Sequence, residues 1–99
     1  MGRDTVRVVA RIPARADTVD QLRAILVDLV GPTRAEQGCI SYALHQNKSD
    51  PTDFTFIEEW ESSEAINAHF ATPHVQAALE AATPLLAAPP NIQQYSTLQ

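Results

Sequence analysis

The chain has 99 residues, with 12 acidic against seven basic side chains and a formal net charge of −5. That is the length of a single domain, taken as residues 1–99. The balance excludes nucleic acid as a partner, because contact with a phosphate backbone needs a basic face and the seven cations are scattered. No window approaches the ~20 apolar residues of a membrane span, and the N-terminus M-G-R-D-T-V-R-V-V-A lacks the apolar block of a signal peptide. With a single cysteine, Cys39, no internal disulfide is available. No membrane partner is expected, and a cytoplasmic location is the default.

Residues 5–13 alternate, with Val6, Val8, Ala10 and Ile12 on one side and Arg7, Val9 and Arg11 on the other. A period of two with β-branched residues predicts a strand, ended by Pro13. Thr18-x-x-Gln21 has the form of a capping box. Leu22, Ile25, Leu26, Leu29 and Val30 follow at helical spacing, with an interruption expected at Gly31-Pro32 and closure at Gly38. A second strand is predicted over 39–47, with Ile40, Tyr42 and Leu44 on one face. A third over 53–61 carries Phe54, Phe56, Glu58 and Trp60, and S-D-P-T-D makes the hairpin turn between them.

Ser62 is placed to cap a short helix bearing Ala65, Ile66, His69 and Phe70. Thr72-Pro73 restarts a helix, with threonine as N-cap and proline at the first helical position. Its apolar side carries Val75, Ala78, Leu79, Ala82, Leu85 and Leu86, and a last strand covers 91–98. The order β-α-β-β-α-α-β predicts an α+β, ferredoxin-like sandwich: a four-stranded antiparallel sheet with helices on one face. A second copy of the sheet is the economical cover for the other face, so a homodimer is expected, with Arg7, Arg11 and His45 at its interface.

Three phrases concentrate the chemistry: E-Q-G-C-I-S-Y (Glu36 to Tyr42), F-I-E-E-W-E-S (Phe56 to Ser62) and A-H-F-A-T-P-H (Ala68 to His74). In these, G-C-x-x-Y, E-x-W-x-S and H-x-x-T-P-H together resemble the antibiotic biosynthesis monooxygenase family, of the dimeric α/β-barrel group. The resemblance covers nearly the whole chain. It implies a homodimer with its two sheets face to face and one substrate pocket per subunit between sheet and helices. The family includes cofactor-free quinol and anthrone oxygenases, haem-degrading enzymes and an isomerase of a phosphorylated signalling sugar. Where the haem-degrading members carry asparagine, tryptophan and histidine, this chain has Ala10, His69 and Leu79, which argues against haem. Where the anthrone-type oxygenase has an asparagine, this chain has Phe56.

The helix-covered face thus predicts an apolar chamber walled by Ala10, Tyr42, Phe56, Trp60 and Phe70, with Glu58, His69 and His74 as its polar groups. Histidine titrates near neutrality, so His69 is the candidate base, with Glu58 and His74 supporting it. Each has a plain structural alternative: Trp60 and Tyr42 suit a core, and His74 could simply tie the inter-helix corner. His69 and His74 are five positions apart across a helix break and lack i,i+4 ligand geometry, so no metal site is expected.

The leading reading is a cofactor-independent monooxygenase, with a small aromatic phenol or quinol and molecular oxygen as its partners and no cofactor. Its rivals are an isomerase of a small carbonyl compound and a non-catalytic ligand-binding dimer.

Overall fold

A computed structural model describes residues 5–99. The elements run β1 (Val6–Pro13), α1 (Val19–Arg34), β2 (Cys39–Gln46), β3 (Asp53–Trp60), α2 (Ser63–Phe70), α3 (Pro73–Ala82) and β4 (Asn91–Tyr95), with a 3₁₀ turn over Thr83–Leu85. Every strand pairing is antiparallel and the order across the sheet is β2-β3-β1-β4. This is the ferredoxin-like α+β architecture that the element order predicts. Among the described residues no helix is long and apolar enough to cross a membrane.

Register decides which side chains meet. Val8 stands opposite Glu58, Ala10 opposite Phe56 and Ile12 opposite Phe54, while Tyr42 and Leu44 face Glu58 and Phe56 from the other side. These residues and Trp60 share the face that the helices cover. Leu22, Leu26 and Leu29 project from α1 onto it at i, i+4, i+7, and each is buried. Full burial of each such side chain contributes roughly 1.5–3 kcal/mol. The other face carries Arg7, Val9, Arg11, His45 and Ile57. There Arg7 pairs with Glu59 at 3.4 Å and Arg11 with Asp53 at 3.2 Å.

Five local expectations are corrected. Helix α1 runs unbroken through Pro32 to Arg34. The ring removes only the bond that its nitrogen would make to the Asp28 carbonyl, in the last turn, and buried Leu29 and Thr33 hold the segment in place. Thr18 does not form a capping box: its hydroxyl donates to the carbonyl of Leu85 at 2.7 Å, tying the start of α1 to the segment before β4. Ile40 is not on the covered face, because a register shift between Cys39 and Ser41 turns it out to 49% exposure. The last strand ends at Tyr95, and Leu85 and Leu86 lie beyond α3.

The later caps form as read. Ser62 Oγ accepts from the Ala65 amide at 3.1 Å, and Thr72 Oγ1 accepts from the Val75 amide at 3.4 Å.

Candidate active site

Glu36 sits in the turn between α1 and β2, and Gly38 directs that turn. Gly38 has φ of +89°, which favours glycine, and a Cβ there would fall 2.5 Å from the Cβ of Ala65. Its carbonyl accepts from the Glu61 amide at 2.8 Å. The turn is therefore pressed against the start of α2, and the Glu36 side chain reaches the other end of that helix.

There, Ile66 and His69 share the inward side of α2. The corner that follows is braced by Thr72, whose hydroxyl donates to the His69 carbonyl at 2.7 Å while capping α3. His74 lies in the first turn of α3. The corner turns both imidazoles onto one carboxylate oxygen: Glu36 Oε2 is 2.9 Å from Nδ1 of His69 and 2.5 Å from Nε2 of His74. The five-residue spacing lacks i,i+4 geometry, and the break between the two helices supplies the convergence instead.

A carboxylate can only accept, so the nitrogens facing Glu36 carry the protons. In a neutral His69 ring this leaves Nε2 as an acceptor, and no group among the described residues bonds it. His69 is wedged among aromatic rings, with centroids 4.8 Å from Trp60, 5.1 Å from Phe70 and 5.8 Å from Tyr42.

His69 forms part of the wall of a cavity of about 250 Å³ between the sheet and the helices. This is slightly smaller than most small-ligand pockets. Ala10, Tyr42, Phe56, Glu58 and Phe70 line it with His69; Trp60 and His74 do not. Trp60 is fully buried beside it and donates its indole N–H to Oε1 of Glu58 at 2.8 Å. His74 instead lines an open groove between α1 and α3, beside Asp28 and Ala77.

The cavity wall is almost wholly apolar, and that sets the state of its polar groups. Burial pushes the Glu58 carboxyl up to about 7; the Trp60 N–H opposes this and the Glu36 charge adds to it. Glu58 can therefore give or take a proton near neutral pH. Tyr42, stacked on Phe56 at 4.8 Å, has its phenol held protonated first by burial and then by Glu58. Burial and the charges of Glu36 and Glu58 raise the Cys39 thiol as well, which disfavours a reactive thiolate.

Glu36 is the residue that sequence reasoning missed. It opens the first of the three phrases, but it reads there as the tail of a helix, and only the turn at Gly38 reveals its aim. The contributions of Leu79 and of Ile92 on β4 to the cavity were missed too. Ile92 is there because it pairs with Ala10 across the sheet.

The sequence pattern of the antibiotic biosynthesis monooxygenase family matches residues 5–81. A Synechocystis protein, sll1783, is 32% identical over 92 residues, covering 93% of this chain and 63% of that protein. Rv0793 of Mycobacterium tuberculosis is 39% identical over 69 residues, 70% of this chain and 67% of its own length. These sequence alignments thus span about two thirds of each relative's length. The solved structure of Rv0793 superposes with a TM-score of 0.91 at 32% identity over 96% of both chains. That of PA3566 from Pseudomonas aeruginosa does so with a TM-score of 0.92 at 31% identity, over 100% of this chain and 99% of the other.

Proposed function

The chain belongs to the antibiotic biosynthesis monooxygenase family, and from that premise we propose that it is a cofactor-independent monooxygenase of a small phenol- or quinol-type aromatic. The observation that carries the reading is the Glu36–His69 pair, with its ring wall on an apolar cavity. Such a substrate is its own reductant once deprotonated, so the protein need supply only a base, orientation and exclusion of water.

His69 takes the phenolic proton at Nε2, and Glu36 stabilises the imidazolium that forms. The phenolate passes an electron to molecular oxygen, and the pair combine to make a carbon–oxygen bond as a peroxide. The His69 imidazolium returns its proton to the peroxide to give a hydroperoxide. Its freed Nε2 then takes the proton from the C–H carbon as the O–O bond breaks, the C–H electron pair forming the carbonyl. Glu58 in its protonated form supplies the proton with which the departing oxygen leaves as water. Phe56, Tyr42, Phe70 and Ala10 hold the ring plane, and Trp60 orients Glu58. The reading includes a cytoplasmic location and a homodimer joined through the outer sheet faces; the dimer is supported by exposed Ile57, which pairs with half-buried Val9 near the middle of that face.

A second reading has support from Glu58. A carboxyl poised near 7 in the same cavity wall as an imidazole is also what an isomerase of a small carbonyl compound needs, to move a proton between neighbouring carbons. The apolar wall favours the aromatic substrate over a phosphorylated one.

Oxygen uptake by the purified protein against a panel of quinols and anthrones tests the proposal, with His69→Ala alongside. Uptake above the autoxidation rate that collapses in the variant supports it. No uptake with any quinol, together with tight binding of a small carbonyl compound, points to the isomerase or to a ligand-binding dimer without catalysis.

A further inference from the structure

We propose that Glu36, His69 and His74 form a three-ligand site for a divalent transition metal of the zinc or cobalt class. The inference goes beyond the oxygenase reading and does not depend on it. One ligand atom from each of the three residues lies within 4.8 Å of the other two, with His69 Nδ1 and His74 Nε2 both turned to Glu36 Oε2, and two nitrogens with one carboxylate oxygen are a donor set suited to these ions.

The three side chains come from three different segments and are held before any ion arrives. Side-chain exposure is 4% for His69, 12% for Glu36 and 27% for His74. The site is therefore shielded on the cavity side and reached from the groove between α1 and α3, where His74 stands. Behind it, the Thr72 hydroxyl fixes the backbone of His69, and the positive φ of Gly38 fixes the turn that carries Glu36.

The present separations of 2.9 and 2.5 Å are those of hydrogen bonds. Ligand bonds of about 2.0–2.2 Å in a tetrahedron set donor atoms roughly 3.3 Å apart. Metal entry must therefore open the contacts by about half an ångström or somewhat more, which side-chain torsions accommodate. Water from the groove completes the fourth position.

Coordination has a consequence in the cavity. Metal replaces the proton on His69 Nδ1, so a neutral ring must carry its proton on Nε2. The cavity-facing nitrogen then changes from acceptor to donor. An ion at this site withdraws the base from the chamber and leaves a hydrogen-bond donor aimed at a bound oxygen.

Titration of chelator-stripped, tag-free protein with Co(II) tests this without any substrate. The expected result is a visible absorption band of tetrahedral cobalt that saturates at one ion per chain and is displaced by Zn(II). Glu36→Gln and His74→Ala should each weaken cobalt binding on the order of a hundredfold, whereas His45→Ala, on the opposite sheet face, should leave it unchanged. Circular dichroism confirms that each variant is folded. Nitrogen-15 spectra of the wild-type histidines with Zn(II) give a second reading that needs no variant: Nδ1 of His69 and Nε2 of His74 should shift together. Absence of the cobalt band, or histidine resonances unmoved by Zn(II), would overturn the site and show a hydrogen-bonded trio only. Oxygen uptake is read on metal-free protein and cobalt binding without substrate, so the two proposals fail separately.

Discussion

Glu36 and His69 lie 33 positions apart in the chain and 2.9 Å apart in space. The contact joins a turn after α1 to the inner side of α2, and it aims an imidazole at the cavity with a defined proton arrangement. Glutamine at position 36 can still accept a hydrogen bond from Nδ1, but it brings no charge to stabilise an imidazolium. We predict that Glu36→Gln lowers kcat about tenfold to a hundredfold on a substrate found by oxygen uptake, with little change in KM. Steady-state kinetics checks this, and a variant with wild-type kcat would remove Glu36 from the mechanism.

Glu58 makes stability depend on pH. Its carboxyl moves from 4.5 up to about 7 in the fold, chiefly through burial. A raised value means that the folded state binds the proton more tightly. The stabilising contribution is therefore complete below about 4.5 and is lost as pH rises through about 7, a change on the order of 3 kcal/mol. Glu58→Gln imitates the protonated group, so its stability relative to wild type should climb across that window and then level off. Urea unfolding at a series of pH values measures the difference, and a flat profile would contradict the assignment.

Gly38 carries both a positive φ and the close approach to Ala65. Gly38→Ala should cost roughly 2 kcal/mol or more, because strain in the left-handed region adds to the displacement of α2. Thermal melts report the loss. A melting temperature equal to wild type would mean that the turn relaxes freely and does not position Glu36.

The outer sheet face gives the oligomer prediction. Arg7 and Arg11 already pair with Glu59 and Asp53 inside the chain, so reversing their charge would also break contacts within the subunit. Ile57 is 39% exposed near the middle of the face and makes a cleaner probe. Wild-type protein should run as a dimer by size-exclusion chromatography with light scattering, and Ile57→Glu as a monomer. A monomeric wild type at micromolar concentration would refute the sheet-to-sheet arrangement.

Much of this fold is written in local pattern. The alternation through Val6, Val8, Ala10 and Ile12 specifies a strand and its buried face, because successive side chains on an extended backbone point to opposite sides. The spacing of Leu22, Leu26 and Leu29 specifies a helix and its inner stripe in the same way. Ser62 and Thr72 announce helix starts, since each hydroxyl satisfies a backbone amide that no carbonyl can reach. These signals failed where a distant partner competed for the group: Thr18 gave its hydroxyl to Leu85, and a bulge turned Ile40 outward.

Local pattern suffices for the order of the elements, for their buried faces apart from Ile40, for the apolar wall around Phe56 and Tyr42, and for the histidine pair beside Thr72-Pro73. Each is a matter of neighbours a few positions away. The packed chain alone reveals that Glu36 bridges His69 and His74, that Trp60 holds Glu58 from behind the cavity, and that His74 lines the groove while His69 lines the chamber. Those relationships depend on segments brought together by burial of a shared core, and the hydrophobic effect that drives this carries no directional signal along the chain.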